Sequence, residues 1–299
     1  MDAIGNIPNV NIAYVADANQ MLADEIAAKY GAISGFGDYA ELLTRPDLDG
    51  VILATPTPFH HKQAIDALKA GKHVQVEIPL SDSLAGVNEI AALQRSTGLI
   101  VMAGHTRRFN PSHQYLHEKI SSGQLNIQQL HVQTYFLRRS NINALGAPRS
   151  WTDHLLWHHA AHTVDLFQFQ TGERVVTANA IQGPKDPHLG IAMDMSIQLK
   201  TESGKICTLS LSFNNDGPLG SFFRYICDNG TYIARYDELF DGNEKAINLT
   251  ARSGSLNGIE LQDQEFVSAI LEGREPEASV QRVLPCYEIL DELQRKLDY

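Results

Sequence analysis

The sequence has few cysteines, no long apolar run and fewer basic than acidic residues. Its three cysteines, Cys207, Cys227 and Cys286, are far apart and odd in number, which excludes a disulfide framework as the basis of the fold. No stretch is typical of a signal peptide or a membrane span, so we expect a cytoplasmic protein without a membrane partner. A net charge of −11 argues against binding to nucleic acid.

The chain also lacks the spacing of a zinc site, although one stretch is rich in histidine. Residues 151–165 read W-T-D-H-L-L-W-H-H-A-A-H-T-V-D and hold four of the 12 histidines. On a helix, His154, His158 and His162 would share one face, with His159 pointing elsewhere. Without the Glu of H-E-x-x-H the pattern is a poor metal signal, and we expect no metal. It favours proton transfer, with hydrogen-bonded structural histidines as the alternative.

The first third of the sequence alternates short β-branched runs with helical ones, which predicts βαβ winding and a parallel sheet. Binding groups are then expected at the carboxyl ends of the strands. The predicted strands are Val10–Ala16, Gly50–Ala54, His73–Val76 and Leu99–Ala103, and the predicted helices are Gln20–Tyr30, Pro58–Ala70 and Ser83–Thr97.

The rest of the chain has the pattern of an α+β domain with a mostly antiparallel sheet. We therefore divide the 299 residues into a dinucleotide-binding domain, 1–106, and a substrate and oligomerisation domain, 107–299. The second domain has predicted strands Gln128–Phe136, Ala192–Lys200, Lys205–Asn214, Phe222–Cys227 and Thr231–Tyr236, and predicted helices Leu155–Thr171, Ile259–Glu272 and Val280–Leu297 covering one sheet face.

Asp17 ends the first predicted strand, where an acid can bind the adenosine ribose hydroxyls and repel a 2′-phosphate. This favours NAD over NADP, although an ordinary turn aspartate is the alternative. The Gly-rich phosphate turn that should precede Asp17 is missing, so we expect a Rossmann-like domain without its first strand, which roughly twenty further residues would supply. Gly35-Phe36-Gly37-Asp38-Tyr39-Ala40 matches G-x-G-x-x-A by letters but comes too late, and we interpret it as a turn.

Three strings carry a resemblance to the Gfo/Idh/MocA oxidoreductase family: T-P-T-P-F-H at 55–60, A-G-K-H-V-Q-V-E-I-P at 70–79 and R-R-F-N-P at 107–111. Within the family, E-I-P in place of the usual E-K-P, with the 104–115 and 149–165 strings, resembles the semialdehyde dehydrogenases of protocatechuate 4,5-cleavage. The resemblance covers nearly the whole chain and implies an enzyme that uses NAD or NADP.

The resemblance also implies site residues. Thr55, Pro56 and His60 would line the nicotinamide riboside, with Glu77 beside the nicotinamide. Ile78 stands where the family usually has a lysine, so it cannot transfer a proton.

The family's usual Asp in the histidine stretch is His158 here. His162 keeps the family's identity, and we assign it as the general base. His158 would orient that base or the substrate.

A substrate with carboxylates requires fixed cations, and arginine's planar guanidinium suits a carboxylate. Five arginines cluster in sequence around the expected site: Arg107, Arg108, Arg138, Arg139 and Arg149. We expect Arg108 and Arg149 above all to bind substrate, together with Arg107 and Trp151, and about half of the five to be ordinary surface residues.

The resemblance implies oxidation of the cyclic hemiacetal of 4-carboxy-2-hydroxymuconate-6-semialdehyde to 2-pyrone-4,6-dicarboxylate. The expected partners are this small dicarboxylate and a second copy of the chain, bound through the C-terminal sheet. Three alternatives stay open. They are a cofactor-free binding protein or inactive fragment, a sugar dehydrogenase of the same family, and a metal-dependent hydrolase.

Overall fold

The computed structural model describes residues 1–142, 146–149, 151–249 and 255–298. Its first third is an α/β unit of five short parallel strands and five helices. The strands are β1 Tyr14–Ala16, β2 Ser34–Phe36, β3 Gly50–Leu53, β4 His73–Val76 and β5 Val101–Ala103. The helices are α1 Asp2–Gly5, α2 Gln20–Tyr30, α3 Tyr39–Leu43, α4 Thr57–Lys69 and α5 Leu84–Thr97.

Local signals explain where these helices begin and end. The Asn19 side chain accepts hydrogen bonds from the first backbone N–H groups of α2, and Ser83 does the same for α5. Both helices stop at a glycine in the left-handed region, Gly31 at φ 68° and Gly98 at φ 69°. The predicted βαβ winding is confirmed.

The Gly35–Ala40 stretch, which we interpreted as a turn, is part of the sheet. Its start belongs to β2, which pairs in parallel with β1, and Asp38 then caps α3. Gly35 allows helix α2 to lie close to this strand, since an added Cβ would meet the backbone of Ala23 and Asp24 at 2.6 Å. The letters that resemble a phosphate loop therefore serve helix–strand packing.

The parallel strands form two separate ladders. Strand β1 pairs with β2 alone, and β3 pairs with β4, which pairs with β5. In the described chain, β1 and β3 thus each have one unpaired edge. Parallel strands are usually buried on both faces, yet Ile52 at the centre of β3 is 37% exposed and no β1 residue is fully buried.

The rest of the chain contains a seven-stranded sheet. Its strands are β6 Ile127–Tyr135, β7 Val175–Gln182, β8 Asp194–Thr201, β9 Ile206–Ser212, β10 Gly220–Cys227, β11 Gly230–Arg235 and β12 Glu238–Asp241. They lie in the order β12-β11-β10-β6-β9-β8-β7. All neighbouring pairs are antiparallel except β6 with β9, so the predicted mostly antiparallel sheet is confirmed.

The helices of this part are α6 Pro111–Ser121, α7 Ala161–Thr171, α8 Gly258–Glu272 and α9 Val280–Leu297. Our prediction that the last three all cover the antiparallel sheet is wrong for α8. That helix packs on the parallel ladder, where Gln75 of β4 donates to Asp263 Oδ1 at 2.8 Å. Helix α9 contacts both halves, because Lys296 donates to Ala178 O of β7 and the Tyr287 hydroxyl accepts from Leu80 N.

A π-helical turn, Leu155–Ala160, precedes α7 where we predicted continuous α-helix. The wider turn changes the angular spacing of side chains, and π turns are frequent at functional sites. As a result the single stripe of histidines does not form. His154 and His158 touch edge to face at 5.0 Å, but His162 instead lies against His105 at 6.2 Å.

None of the helices in the described ranges is both long and apolar enough to cross a membrane. The three cysteines have free, buried thiols.

Candidate active site

The site lies where the parallel strands end. Thr55 follows β3, Glu77 follows β4 and His105 follows β5. The π-helical turn is joined to this edge by a hydrogen bond of 3.0 Å between Thr57 Oγ1 and His158 Nε2. The histidine stretch and the strand ends therefore border one crevice, the expected binding position in an open α/β sheet.

His162 is the imidazole best arranged for proton transfer. The residue is half-buried, and its Nδ1 is buried without a hydrogen-bond partner among the described residues. Burial and the positive charge of Arg107 hold the pKa of His162 well below its usual range. The ring is therefore neutral near pH 7, and its Nε2, which no described side chain engages, can accept a proton from a ligand.

His158 has both ring nitrogens engaged. Its Nδ1 accepts from His154 N at 3.2 Å, so Nε2 carries the proton and donates to Thr57 Oγ1. Burial, and secondly His154, lower its pKa to about 3, which keeps this tautomer neutral. The ring also stacks on Trp151 at 5.6 Å. This arrangement suits a positioning residue, and it leaves His158 no free nitrogen for a substrate.

Arg108, which we expected to bind substrate, is a buried structural residue. It is 4% exposed, and its Nε and Nη2 donate to the two carboxylate oxygens of Asp165 at 2.8 and 2.6 Å. Its Nη1 donates to Glu277 O at 2.6 Å. The structure therefore gives Arg108 a structural role in place of the expected contact with substrate, because its guanidinium is already occupied by protein acceptors.

Arg107, which we also expected to bind substrate, lies close enough to His162 to lower the pKa of that imidazole. Its guanidinium lies over the Tyr236 ring at 4.6 Å, and Nη1 donates to Asn110 Oδ1 at 3.2 Å. The Nε atom is buried without a hydrogen-bond partner among the described residues. An anionic group beside His162 would satisfy this donor.

A cavity of about 730 Å³ lies between the end of β3 and the loop before the π-helical turn. Its lining includes Thr55, Pro56, Arg149 and Trp151. The Arg149 guanidinium lies 4.9 Å from the Trp151 ring centroid, and that indole stacks in turn on His158. The structure thus brings the expected riboside-lining residues and two of the expected substrate residues to one cavity.

Four of the five expected cofactor-binding residues differ in how free they are to meet a ligand. Asp17 is exposed at the end of β1, where Oδ1 accepts from Asn19 N at 2.8 Å and Oδ2 has no described partner. Thr55 Oγ1 donates to Gln63 Oε1 at 2.5 Å, and Pro56 is half-buried. His60 is buried, and the carbonyl oxygens of Thr55 and Pro79 engage both of its ring nitrogens, so the ring shapes the loop and has no nitrogen left for a ligand.

Glu77 is a half-buried carboxyl at the end of β4. Burial raises its pKa to about 7, so it can change charge near neutral pH. It lies against Gly104, where an added Cβ would come within 2.9 Å of Oε2. The next residue, Ile78, has no titratable group. Glu77 is therefore the ionisable group of this strand end.

We expect Glu77→Gln to stabilise the protein increasingly as pH rises. The pKa of Glu77 is about 7 in the folded protein and 4.5 in the unfolded chain, so between these pH values the folded protein binds more protons than the unfolded chain. The free energy of unfolding of the wild type therefore falls as pH rises from 4.5 to 7, whereas glutamine cannot ionise. Urea unfolding at pH 4.5 and pH 8 should show a relative gain of roughly 1–3 kcal/mol for the variant. Glu25→Gln on the exposed face of α2 is the control, and an equal, pH-independent change in both variants would contradict the assignment.

Three residues of the site escaped the sequence analysis. His105 is fully buried, its Nδ1 is 3.5 Å from Asp165 Oδ2, and burial lowers its pKa to about 4. Its position directly after β5 could have identified it from the sequence, because ligands bind at the carboxyl ends of parallel strands. Thr57 and Asp153 are identified only by their contacts with the histidine stretch in the structure.

Asp153 joins the cations of this region. Its Oδ1 lies 2.6 Å from Arg138 Nη1 and 2.8 Å from Arg149 Nη2, and His159 Nε2 lies 3.1 Å from Oδ2. Although burial opposes ionisation, the hydrogen bond from His159 and the charge of Arg138 hold the pKa of Asp153 well below its usual range. The carboxylate is therefore charged and fixes both guanidinium groups.

Within the described ranges, no group of three or more His, Cys, Asp or Glu side chains is arranged to hold a metal ion.

Comparison with known proteins links both halves of the chain to oxidoreductases. Residues 2–105 match the oxidoreductase family with an NAD-binding Rossmann fold, and residues 111–253 match the C-terminal region of bacterial oxidoreductases. A 4-carboxy-2-hydroxymuconate-6-semialdehyde dehydrogenase of Sphingobium sp. (strain NBRC 103272 / SYK-6) is 61% identical over 298 residues, covering 100% of this chain and 94% of the relative.

Solved structures show the same fold at low sequence identity. The UDP-N-acetylglucosamine 3-dehydrogenase GnnA of Acidithiobacillus ferrooxidans superposes with a TM-score of 0.83 at 20% identity, covering 99% of this chain and 92% of that one. An oxidoreductase of Agrobacterium radiobacter in complex with NAD+, L-tartaric acid and magnesium gives 0.82 at 17% identity, covering 100% and 92%. With the 61% identity over the full length, these matches show that the chain belongs to the Gfo/Idh/MocA family of nicotinamide-dependent oxidoreductases.

Proposed function

We propose that this chain oxidises the cyclic hemiacetal of 4-carboxy-2-hydroxymuconate-6-semialdehyde to the lactone 2-pyrone-4,6-dicarboxylate. The observation that carries the proposal is the 61% identity with a dehydrogenase named for that semialdehyde, along nearly the full length of both chains. The site supports it independently, because the neutral imidazole of His162 lies beside Arg107, whose Nε has no hydrogen-bond partner among the described residues.

Oxidation of a hemiacetal removes a hydride from the carbinol carbon and a proton from its hydroxyl, leaving the lactone carbonyl. A bound nicotinamide cofactor supplies the hydride acceptor. His162 would take the hydroxyl proton through Nε2, since its Nδ1 faces the protein interior. Arg107 beside it would hold a substrate carboxylate and favour the neutral form of His162. His158 would hold Thr57 in place at the strand edge.

The residues at the strand ends fit parts of a nicotinamide dinucleotide. The free Oδ2 of Asp17 can accept from ribose hydroxyls, and its charge would repel a 2′-phosphate, so we propose NAD as the preferred coenzyme. Thr55 and Pro56 line the cavity that also holds Trp151, and Glu77 would stand beside the nicotinamide. A G-x-G-x-x-G turn for the pyrophosphate does not occur among the residues described, and no contact to that group is assigned.

The direct test is an absorbance assay for coenzyme reduction with the ring-cleavage product of protocatechuate. We expect turnover with NAD, slower turnover with NADP, and appearance of the pyrone dicarboxylate as product. myo-Inositol is the matched control substrate, and comparable turnover of both would favour the sugar dehydrogenase. Substrate binding by calorimetry without reduction of either coenzyme would instead favour the cofactor-free binding protein.

We further propose that the protein is a cytoplasmic homodimer associated through the seven-stranded sheet. Burial alternates residue by residue along β8, so one face of this sheet packs inside and the other is open in the single chain. Val176, Ile181 and Ile206 are exposed apolar residues on the strands of this sheet. The three free buried cysteines agree with a reducing compartment. Light scattering that gives only a monomer mass at micromolar concentration would refute the dimer.

A further inference from the structure

The arginines of the 730 Å³ cavity are not equivalent. Arg138 and Arg149 are held by Asp153, whereas Arg139, which also lines the cavity, forms no ion pair with a described carboxylate. Arg139 Nη1 donates to Arg138 O at 3.0 Å and to Asn214 Oδ1 at 3.1 Å. Its Nε and Nη2 engage no described acceptor, and the residue is exposed. Arg139 is therefore a fixed cation with free donors.

The cations of the cavity outnumber the carboxylate that contacts them. Asp153 balances one positive charge, although it touches Arg138 and Arg149 together. Nη1 of Arg149 also engages no described acceptor. Positively charged, partly desolvated walls with unused N–H donors favour a carboxylate, and the planar guanidinium can bind one through two hydrogen bonds.

The cavity also has a flat wall. The Arg149 guanidinium lies 4.9 Å from the Trp151 ring centroid, and the His158 ring stacks on the same indole at 5.6 Å. A planar conjugated ring can pack along such a surface. The flat wall, the Arg139 guanidinium and the strand end at Thr55 thus belong to one cavity.

Neither His162 nor Arg107 lines this cavity. We propose that Arg139, with Arg149 beside it, forms a second carboxylate subsite, so that the site takes a planar dicarboxylate held at two separated cations. Arg107 binds the carboxylate beside the reacting centre, and Arg139 binds the one at the far end of the ring. This inference deepens the proposed function and rests on it for the identity of the dicarboxylate.

Calorimetric titration tests the subsite without coenzyme or turnover. The probes are isophthalate, a planar ring with two carboxylates, and benzoate, which has one. For the wild-type chain we expect isophthalate to bind at least about tenfold more tightly than benzoate, since its second carboxylate adds charge-assisted hydrogen bonds. Arg139→Met should weaken isophthalate binding by about tenfold or more and change benzoate binding by less than about threefold.

Arg224→Met on β10 is the matched control, since this arginine is exposed and does not line the cavity. Arg139→Lys keeps the charge but not the planar fork, and it should fall between wild type and Arg139→Met. Intrinsic tryptophan fluorescence locates the site. Isophthalate should change the emission of the wild-type chain through Trp151, because the other tryptophan, Trp157, is buried and hydrogen-bonded to Gln294. The control variant here is Trp151→Phe. The ligand-induced change should be lost in this variant.

Equal wild-type affinities for the two probes, or unchanged isophthalate binding in Arg139→Met, would overturn the subsite. Its failure is distinguishable from that of the proposed function. If the chain binds the dicarboxylate selectively but does not oxidise the semialdehyde, the subsite is supported and the proposed function is refuted. If Arg139→Met oxidises the semialdehyde with an unchanged KM, the proposed function is supported and the subsite is refuted.

Discussion

Replacing His162 with alanine is expected to lower kcat by about 10²- to 10⁴-fold, the range typical of a lost general base. KM should change much less, because the groups proposed to hold the substrate carboxylates are arginines and not the imidazole. The reason is structural: His162 has a buried, unpartnered Nδ1 and a neutral ring beside Arg107. Initial rates of NADH formation across substrate concentrations give both constants.

His188 provides the matched control, since it is an exposed histidine outside the cavity. His188→Ala should keep wild-type kcat. Since the pKa of His162 is lowered well below 6.5, its protonation should reduce the wild-type rate only well below that pH. A wild-type kcat in His162→Ala would remove this residue from the chemistry.

Replacing Arg108 with methionine is expected to destabilise the fold by about 3–5 kcal/mol. The change leaves Asp165 as a buried carboxylate without its two guanidinium donors, and it frees the carbonyl oxygen of Glu277. Urea denaturation at pH 7 measures the loss. The double variant Arg108→Met with Asp165→Leu should recover part of it, because the uncompensated charge is then removed as well.

The control for Arg108 is Arg295→Met on α9, whose ion pair with Asp291 is largely exposed. That variant should stay within about 1 kcal/mol of wild type. If Arg108→Met kept wild-type stability and raised KM instead, the residue would bind substrate as the sequence suggested. The two results separate a structural arginine from a ligand-binding one.

The secondary structure was predictable because its signals are local. Helix α5 began at its Ser83 cap and ended before Gly98 as predicted, and α2 and β4 matched their predicted bounds. Strand β2 was missed because its three residues contain a glycine and carry no alternating pattern. The glycine is explained by the close approach of α2, which is a tertiary contact that no local pattern contains.

The roles of the arginines could not be assigned from the sequence. Arg107 and Arg108 are adjacent, yet Arg108 is bound by Asp165, which lies 57 residues away along the chain. Arg139 differs from Arg138 because Asp153 contacts the latter alone, and that depends on how the loop folds back. The sequence motifs predicted where the site lies. They could not predict which carboxylate each arginine contacts, because that depends on packing between distant parts of the chain.

The π-helical turn at Leu155–Ala160 holds one residue more than a regular helical turn. An α-helix advances about 100° per residue, so regular winding of the same residues would rotate everything upstream by about that angle relative to α7. Trp151 and Asp153 would then swing away while His162 stayed in place. The extra residue thus sets the angle between the arginine-lined cavity and His162, and a return to regular α-helix would separate them without altering any side chain.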